Sequence, residues 1–143
     1  MAIIINPKEL SASAVFLFTD NMLLLWDNDT MLPDTECLQD FINAGVIDFY
    51  FYETGHDYIC GSLNIDCKTI HTGEVVPLRT IFENQLFFAA RAARAKAILS
   101  WKKSVLFCSY CGTRLVDAAE ETACDCVQCG RRFYPSLSPA IIV

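Results

Sequence analysis

The sequence predicts an α+β chain: a small, mostly antiparallel sheet domain with one short and one long helix, followed by a compact four-cysteine module. Three observations predict it. Short runs rich in aromatic and β-branched residues, punctuated by turn signals, occupy residues 15–65. A stretch free of Gly and Pro and rich in Ala and Arg follows at 84–103. Five of the eight cysteines then crowd into residues 108–129. At 143 residues the chain can hold one ordinary domain, or a small domain plus a metal-stapled module.

Taken in order, residues 15–19 and 22–26 are β-rich runs separated only by Asp20-Asn21, a tight hairpin signal. After a polar loop at 27–30, residues 34–44 carry an acidic first turn and end just before Gly45, which reads as a short helix. Residues 46–53 (VIDFYFYE) form a strand, 54–57 a turn, and 58–65 an antiparallel return. Residues 69–76 and 78–82 are weaker strands, with Pro77 between them at an edge or bend. The long helix at about 84–103 should bury a face through Phe87, Ala90, Ile98 and Trp101. Lys102 and Lys103 suit the negative end of its dipole. The expected organisation is therefore an N-terminal domain at 1–104, a metal module at 105–135, and the start of another strand at 136–143. Because Ser138-Pro139-Ala140-Ile141-Ile142-Val143 reads as a buried strand, a further domain is expected to begin at about Pro139.

Charge is divided unevenly. Residues 1–78 carry two basic and twelve acidic side chains, a net of −10, whereas 79–143 carry nine basic and five acidic, a net of +4. The net charge of −6 argues against the whole chain being a nucleic-acid-coating protein. Its cationic half suits an anionic ligand, although a tetrathiolate metal site also recruits cations. No apolar run approaches the roughly 20 residues that span a bilayer, and the N-terminus lacks the basic region of a signal peptide. No membrane partner and a cytoplasmic location are expected.

The cysteines carry the chemistry. Cys108-x-x-Cys111-Gly112 and Cys126-x-x-Cys129-Gly130 are two knuckles separated by fourteen residues. A two-residue spacer lets both sulfurs of a tight turn face one metal, and the trailing glycine permits the positive φ such a turn needs. Cys108, Cys111, Cys126 and Cys129 are thus expected to hold one structural Zn²⁺ in a zinc ribbon, with no position left open for water. Cys124 lacks the knuckle spacing and is read as a spare thiol; Cys37, Cys60 and Cys67 are read as ordinary thiols among apolar neighbours. Two redox-active pairs are the competing reading of the knuckles, but neither sits at a helix start after a core strand. His56 and His71 are assigned no role.

Around the knuckles, Phe107-Cys108-Ser109-Tyr110-Cys111-Gly112, Arg132-Phe133-Tyr134-Pro135 and Leu137-Ser138-Pro139-Ala140-Ile141-Ile142-Val143 closely resemble the NADH pyrophosphatases of the Nudix superfamily. The resemblance is dense over about 79–143 and only architectural before that. It implies hydrolysis of the pyrophosphate of NADH or NAD⁺ to nicotinamide mononucleotide and AMP, and removal of NAD caps from RNA, by a homodimer. It also implies Mg²⁺ or Mn²⁺ held by a Nudix box, an R-E-x-x-E-E cluster on a helix. No such cluster occurs in this chain: Glu120-Glu121 has no Arg-Glu upstream, so the chain by itself is expected to be inactive.

Three residues match positions that the family uses toward substrate: Arg79 before the long helix, Glu121 five residues ahead of the third ligand, and Tyr134 in the F-Y-P sequence. Read on their own, Arg79 could be an ion-pair partner, Glu121 a solvated hairpin residue and Tyr134 a hydrophobic brace. Ser136 stands where the family often has arginine. The alternative from another class is a non-enzymatic zinc ribbon that binds nucleic acid or docks a protein. Between the knuckles the sequence offers only Arg114 against Asp117, Glu120, Glu121 and Asp125, which argues against it.

Overall fold

The computed structural model describes residues 12, 14–26, 31–53, 55–64 and 73–136. The chain divides into two compact units, Met1–Leu99 and Ser100–Val143. The expected strand at 136–143 lies outside the described residues from 137 onward. So do the loop at 27–30, Ile65, Cys67, His71 and the first four residues of the strand expected at 69–76.

The first unit is built on five strands: β1 (Ala14–Thr19), β2 (Met22–Leu25), β3 (Ile47–Glu53), β4 (Tyr58–Leu63) and β5 (Glu74–Pro77). Their order is β3-β4-β1-β2-β5. Three pairings are antiparallel and one, β1 with β4, is parallel, so the sheet is mostly antiparallel as expected. Asp20, at φ 51°, turns the β1–β2 hairpin. Alternate residues of the central strands enter opposite cores. Phe16 and Phe18 pack on one face with Leu23, Phe51 and Tyr58, while Val15 and Leu17 pack on the other with Leu24 and Ile59.

Helices cover both faces. The helix α1 (Thr35–Asn43) seals the second core with Leu38 and Ile42. Its N-cap is Asp34, whose carboxylate accepts the Cys37 amide at 2.8 Å. Gly45, at φ 71°, closes its C-terminus. The other face takes α2 (Leu78–Glu83) and α3 (Ala89–Ser104).

Here three expectations are corrected. Residues 78–82 are helical rather than a strand. Pro77 supplies a φ of −55° at the N-cap, Arg79 and Glu83 pair at 2.9 Å one turn apart, and Ile81 is wholly buried. The long helix does not start at 84, because Gln85 adopts φ 53° and interrupts the run. The described residues therefore form three helices. The buried face of α3 also differs from expectation: Phe88, Ala89, Ala92, Ala95, Ile98 and Leu99 are buried, whereas Phe87 is 89% exposed and Ala90 is exposed. Alanines at 92 and 95 leave room for the helix to lie close to Cys60, whose thiol approaches the Ala95 carbonyl at 3.6 Å. Burial pushes that thiol up, and Cys37 up to about 11 with help from Asp34 and Asp40, which disfavours the nucleophilic thiolate at both.

A buried carboxylate ties α3 to the sheet. Glu53 accepts two bonds from Arg94, at 2.6 and 3.1 Å, and one from the Tyr58 hydroxyl. Burial first, then Glu53, pushes that hydroxyl well above the usual tyrosine range. His56 lies 3.9 Å from the same carboxylate.

Candidate zinc centre and its rim

The second unit carries a three-stranded antiparallel sheet, β6 (Val116–Asp117), β7 (Cys124–Asp125) and β8 (Arg132–Phe133), in chain order. Before it, Phe107 and Arg114 bridge across the first knuckle. The two knuckles are built alike. The amide of Cys108 donates to Thr113 and that of Cys126 to Arg131, both at 2.8 Å. The amides of Gly112 and Gly130 return to Cys108 and Cys126, both at 2.9 Å. Gly112 and Gly130 have φ of 73° and 71°, so each turn uses the freedom of its trailing glycine.

This construction brings the sulfurs of Cys108, Cys111, Cys126 and Cys129 within 4.8 Å of one another. Cys108 and Cys129 are 3.6 Å apart, and Cys111 and Cys126 3.4 Å. A tetrahedron with Zn–S bonds of about 2.3 Å has edges of about 3.8 Å, so the donor set fits zinc after shifts of a few tenths of an ångström. The electrostatics favour a cation. The Thr113 hydroxyl and amide, with Cys126, hold the Cys111 thiol down at about 6. Burial raises Cys108, but the amides of Cys111 and Tyr110 outweigh it and leave it below the ordinary thiol value. At Cys129 the Arg131 amide is outweighed by burial and the neighbouring sulfurs, which hold it at about 11. Four thiolates this close need a metal to ionise together. Cys124 is outside the cluster: it is buried, and its sulfur turns to Asp117 at 3.7 Å.

Beside this centre, the structure joins two of the three residues matched to substrate positions. The carboxylate of Glu121 accepts the Tyr134 hydroxyl at 3.2 Å and a guanidinium N–H of Arg132. Arg132 also grips Asp125, its cross-strand neighbour, with two bonds of 2.6 and 2.8 Å. That arginine holds Asp125 below the usual carboxylate range. Two ionic partners thus occupy the guanidinium, and it fixes Glu121 rather than standing free for a ligand. The Tyr134 side chain remains largely exposed. The rim offers a carboxylate that can only accept hydrogen bonds next to an exposed aromatic ring, which is chemistry for a nucleoside rather than a phosphate. Arg79 belongs to the other unit, on α2, where it is exposed and paired with Glu83.

Sequence reasoning passed over Arg132 and Asp125. The signal was present: Asp125 immediately precedes the second knuckle and Arg132 follows it, and a knuckle that folds its flanks together makes such residues cross-strand partners.

Residues 103–134 match the family described as the NADH pyrophosphatase zinc ribbon domain. Among curated relatives, the NAD-capped RNA hydrolase NudC of Pectobacterium carotovorum is 31% identical over 70 residues, covering 49% of this chain and 27% of that protein. The NudC of Chromobacterium violaceum is 35% identical over 72 residues, 50% of this chain and 27% of the relative. That of Pseudomonas aeruginosa is 43% identical over 49 residues, 34% of this chain and 18% of the relative. The chain thus spans far less than two thirds of the length of these proteins. The resemblance to the NADH pyrophosphatases holds, carried by the ribbon and its surroundings, and the four-cysteine cluster supports zinc binding. Among the described residues, no helix is long and apolar enough to cross a membrane.

Proposed function

We infer that this chain is the N-terminal and zinc-ribbon part of a Nudix NAD(H) diphosphatase, an enzyme that hydrolyses NADH or NAD⁺ to nicotinamide mononucleotide and AMP. NAD-capped RNA is a second substrate of the same chemistry, named in the relatives. The observation that carries this reading is the rim of Glu121, Arg132 and Tyr134 on a ribbon of the NADH pyrophosphatase type.

Cys108, Cys111, Cys126 and Cys129 hold the zinc, which is structural because all four positions are filled by protein. The zinc and the paired knuckles fix the path of the chain from Cys129 to Tyr134. Tyr134 stacks on a base or nicotinamide ring, and Glu121, held in place by Arg132, accepts hydrogen bonds from the hydroxyl or amide groups of the nucleoside. Arg79 supplies a cation toward the diphosphate. Mg²⁺ or Mn²⁺, held by carboxylates of a Nudix box outside these 143 residues, supplies the activation of water and the neutralisation of the diphosphate. The enzyme works in the cytoplasm as a homodimer.

The test is product analysis. The protein that unites this chain with a Nudix box should release AMP and nicotinamide mononucleotide in equal amounts from NADH when Mg²⁺ or Mn²⁺ is added. The 143-residue chain alone should release neither. AMP release by the rigorously purified chain, or none by the united protein, overturns the reading.

A further inference from the structure

The charges of the ribbon sort differently in space than along the chain. Of the four carboxylates between the knuckles, Asp117 is paired with Lys102, and Glu121 and Asp125 with Arg132. Arg114 and Arg131, by contrast, pair with no carboxylate among the described residues. Each lies instead on an aromatic ring. The guanidinium of Arg131 stands 3.5 Å from the centroid of Tyr110, and that of Arg114 5.8 Å from the centroid of Phe107. Tyr110 and Phe107 are 68% and 57% exposed. Residues 106–115 and 126–131, which make up both knuckles and their flanks, contain these two arginines and no Asp or Glu.

One pair crosses between the knuckles and the other brackets the first, so both belong to the metal end of the ribbon. A ring capped by a guanidinium on one face keeps its other face for a second planar group. Such cation-backed rings are what unpaired bases stack on, and the guanidinium edge still reaches phosphate. Along 131–134 side chains alternate in direction; Arg132 and Tyr134 both meet Glu121, which puts Arg131 on the opposite face from the rim.

We propose that the knuckle end of the ribbon is a platform for single-stranded nucleic acid, on which bases stack against Tyr110 and Phe107 while Arg131 and Arg114 contact phosphates. It goes beyond the diphosphatase reading and uses none of the rim residues, so either can fail without the other.

The experiment is fluorescence anisotropy of the zinc-loaded chain with a labelled single-stranded adenylate RNA of about a dozen nucleotides, within the ~4–16 that small binding modules cover. Affinity should rise as salt is lowered from about 200 to about 50 mM. Tyr110→Ala should weaken it about 5- to 150-fold, the range set by one base stack. Arg131→Gln should lower the salt slope by about 0.7, the value for one phosphate contact to a single strand. Both variants should keep one zinc, and Tyr110→Phe should bind nearly as well as the parent. A blunt RNA duplex should bind more weakly. The proposal is overturned if the parent does not bind at the lowest salt, if duplex and single strand bind alike, or if Tyr110→Ala and Arg131→Gln change nothing. It is equally overturned if Tyr110 instead drives self-association in sedimentation while the RNA goes unbound.

Discussion

Replacing Cys126 with serine should remove the zinc and unfold the ribbon while leaving the first unit folded. Cys126 is 1% exposed and 3.4 Å from Cys111 across the sulfur cluster. Its amide bond to Arg131 and its carbonyl bond from Gly130 close the second knuckle. Among the described residues of 105–136, only Cys108, Ala123, Cys124 and Cys126 are buried, so the ribbon has almost no apolar core of its own. Burying Ala123 is worth about 1 kcal/mol. Zinc at a structural four-ligand site contributes about 10–16 kcal/mol, larger by an order of magnitude, so the metal decides whether the ribbon folds. Elemental analysis should find one zinc per chain in the parent and none in Cys126→Ser, and proteolysis should then cut within 118–123. Removing zinc from the parent with a strong chelator should reproduce the same cleavage. Cys124→Ser should retain the metal, because that sulfur faces Asp117. Stoichiometric zinc in Cys126→Ser together with loss in Cys124→Ser would refute the ligand assignment.

Two further predictions concern the first unit. Phe88→Ala should cost about 3–5 kcal/mol by urea unfolding, whereas Phe87→Ala should be close to neutral; equal losses would contradict the observed helix face. Arg94→Ala strips the buried Glu53 of its bidentate partner and should destabilise the unit by about 1–3 kcal/mol. That range is reduced for solvent screening, since the guanidinium is 43% exposed, and an unchanged melting temperature would refute it.

Where local chemistry settles a conformation, the sequence was legible. Asp34 and Gly45 bracket α1 because a capping carboxylate and a left-handed glycine act within one turn. The knuckles were legible for the same reason, since spacing and a trailing glycine determine the geometry around the metal. Residues 78–88 were not. Leu-Arg-Thr-Ile-Phe reads as a strand by propensity, and only burial of Ile81 and the left-handed turn at Gln85 select a short helix followed by a break. That break shifts the register of α3, so Phe88 rather than Phe87 enters the core. The parallel pairing of β1 with β4 depends on contacts between residues more than forty positions apart, which no local pattern records. At the rim, Glu121 and Tyr134 were named through a family resemblance, whereas Arg132, which binds Glu121, emerges only when β7 and β8 are paired.

The most direct measurement is kcat/KM for NADH hydrolysis by Tyr134→Ala in the protein that unites this chain with its Nudix box. One aromatic stack is worth roughly 1–3 kcal/mol, so the value should fall about tenfold or more. Zinc content and melting temperature should stay at the parent level, and Tyr134→Phe should be mild, although it gives up the bond to Glu121. An alanine variant with full activity would contradict the assignment of the rim to substrate, and one that loses zinc or unfolds would make Tyr134 a brace for the ribbon.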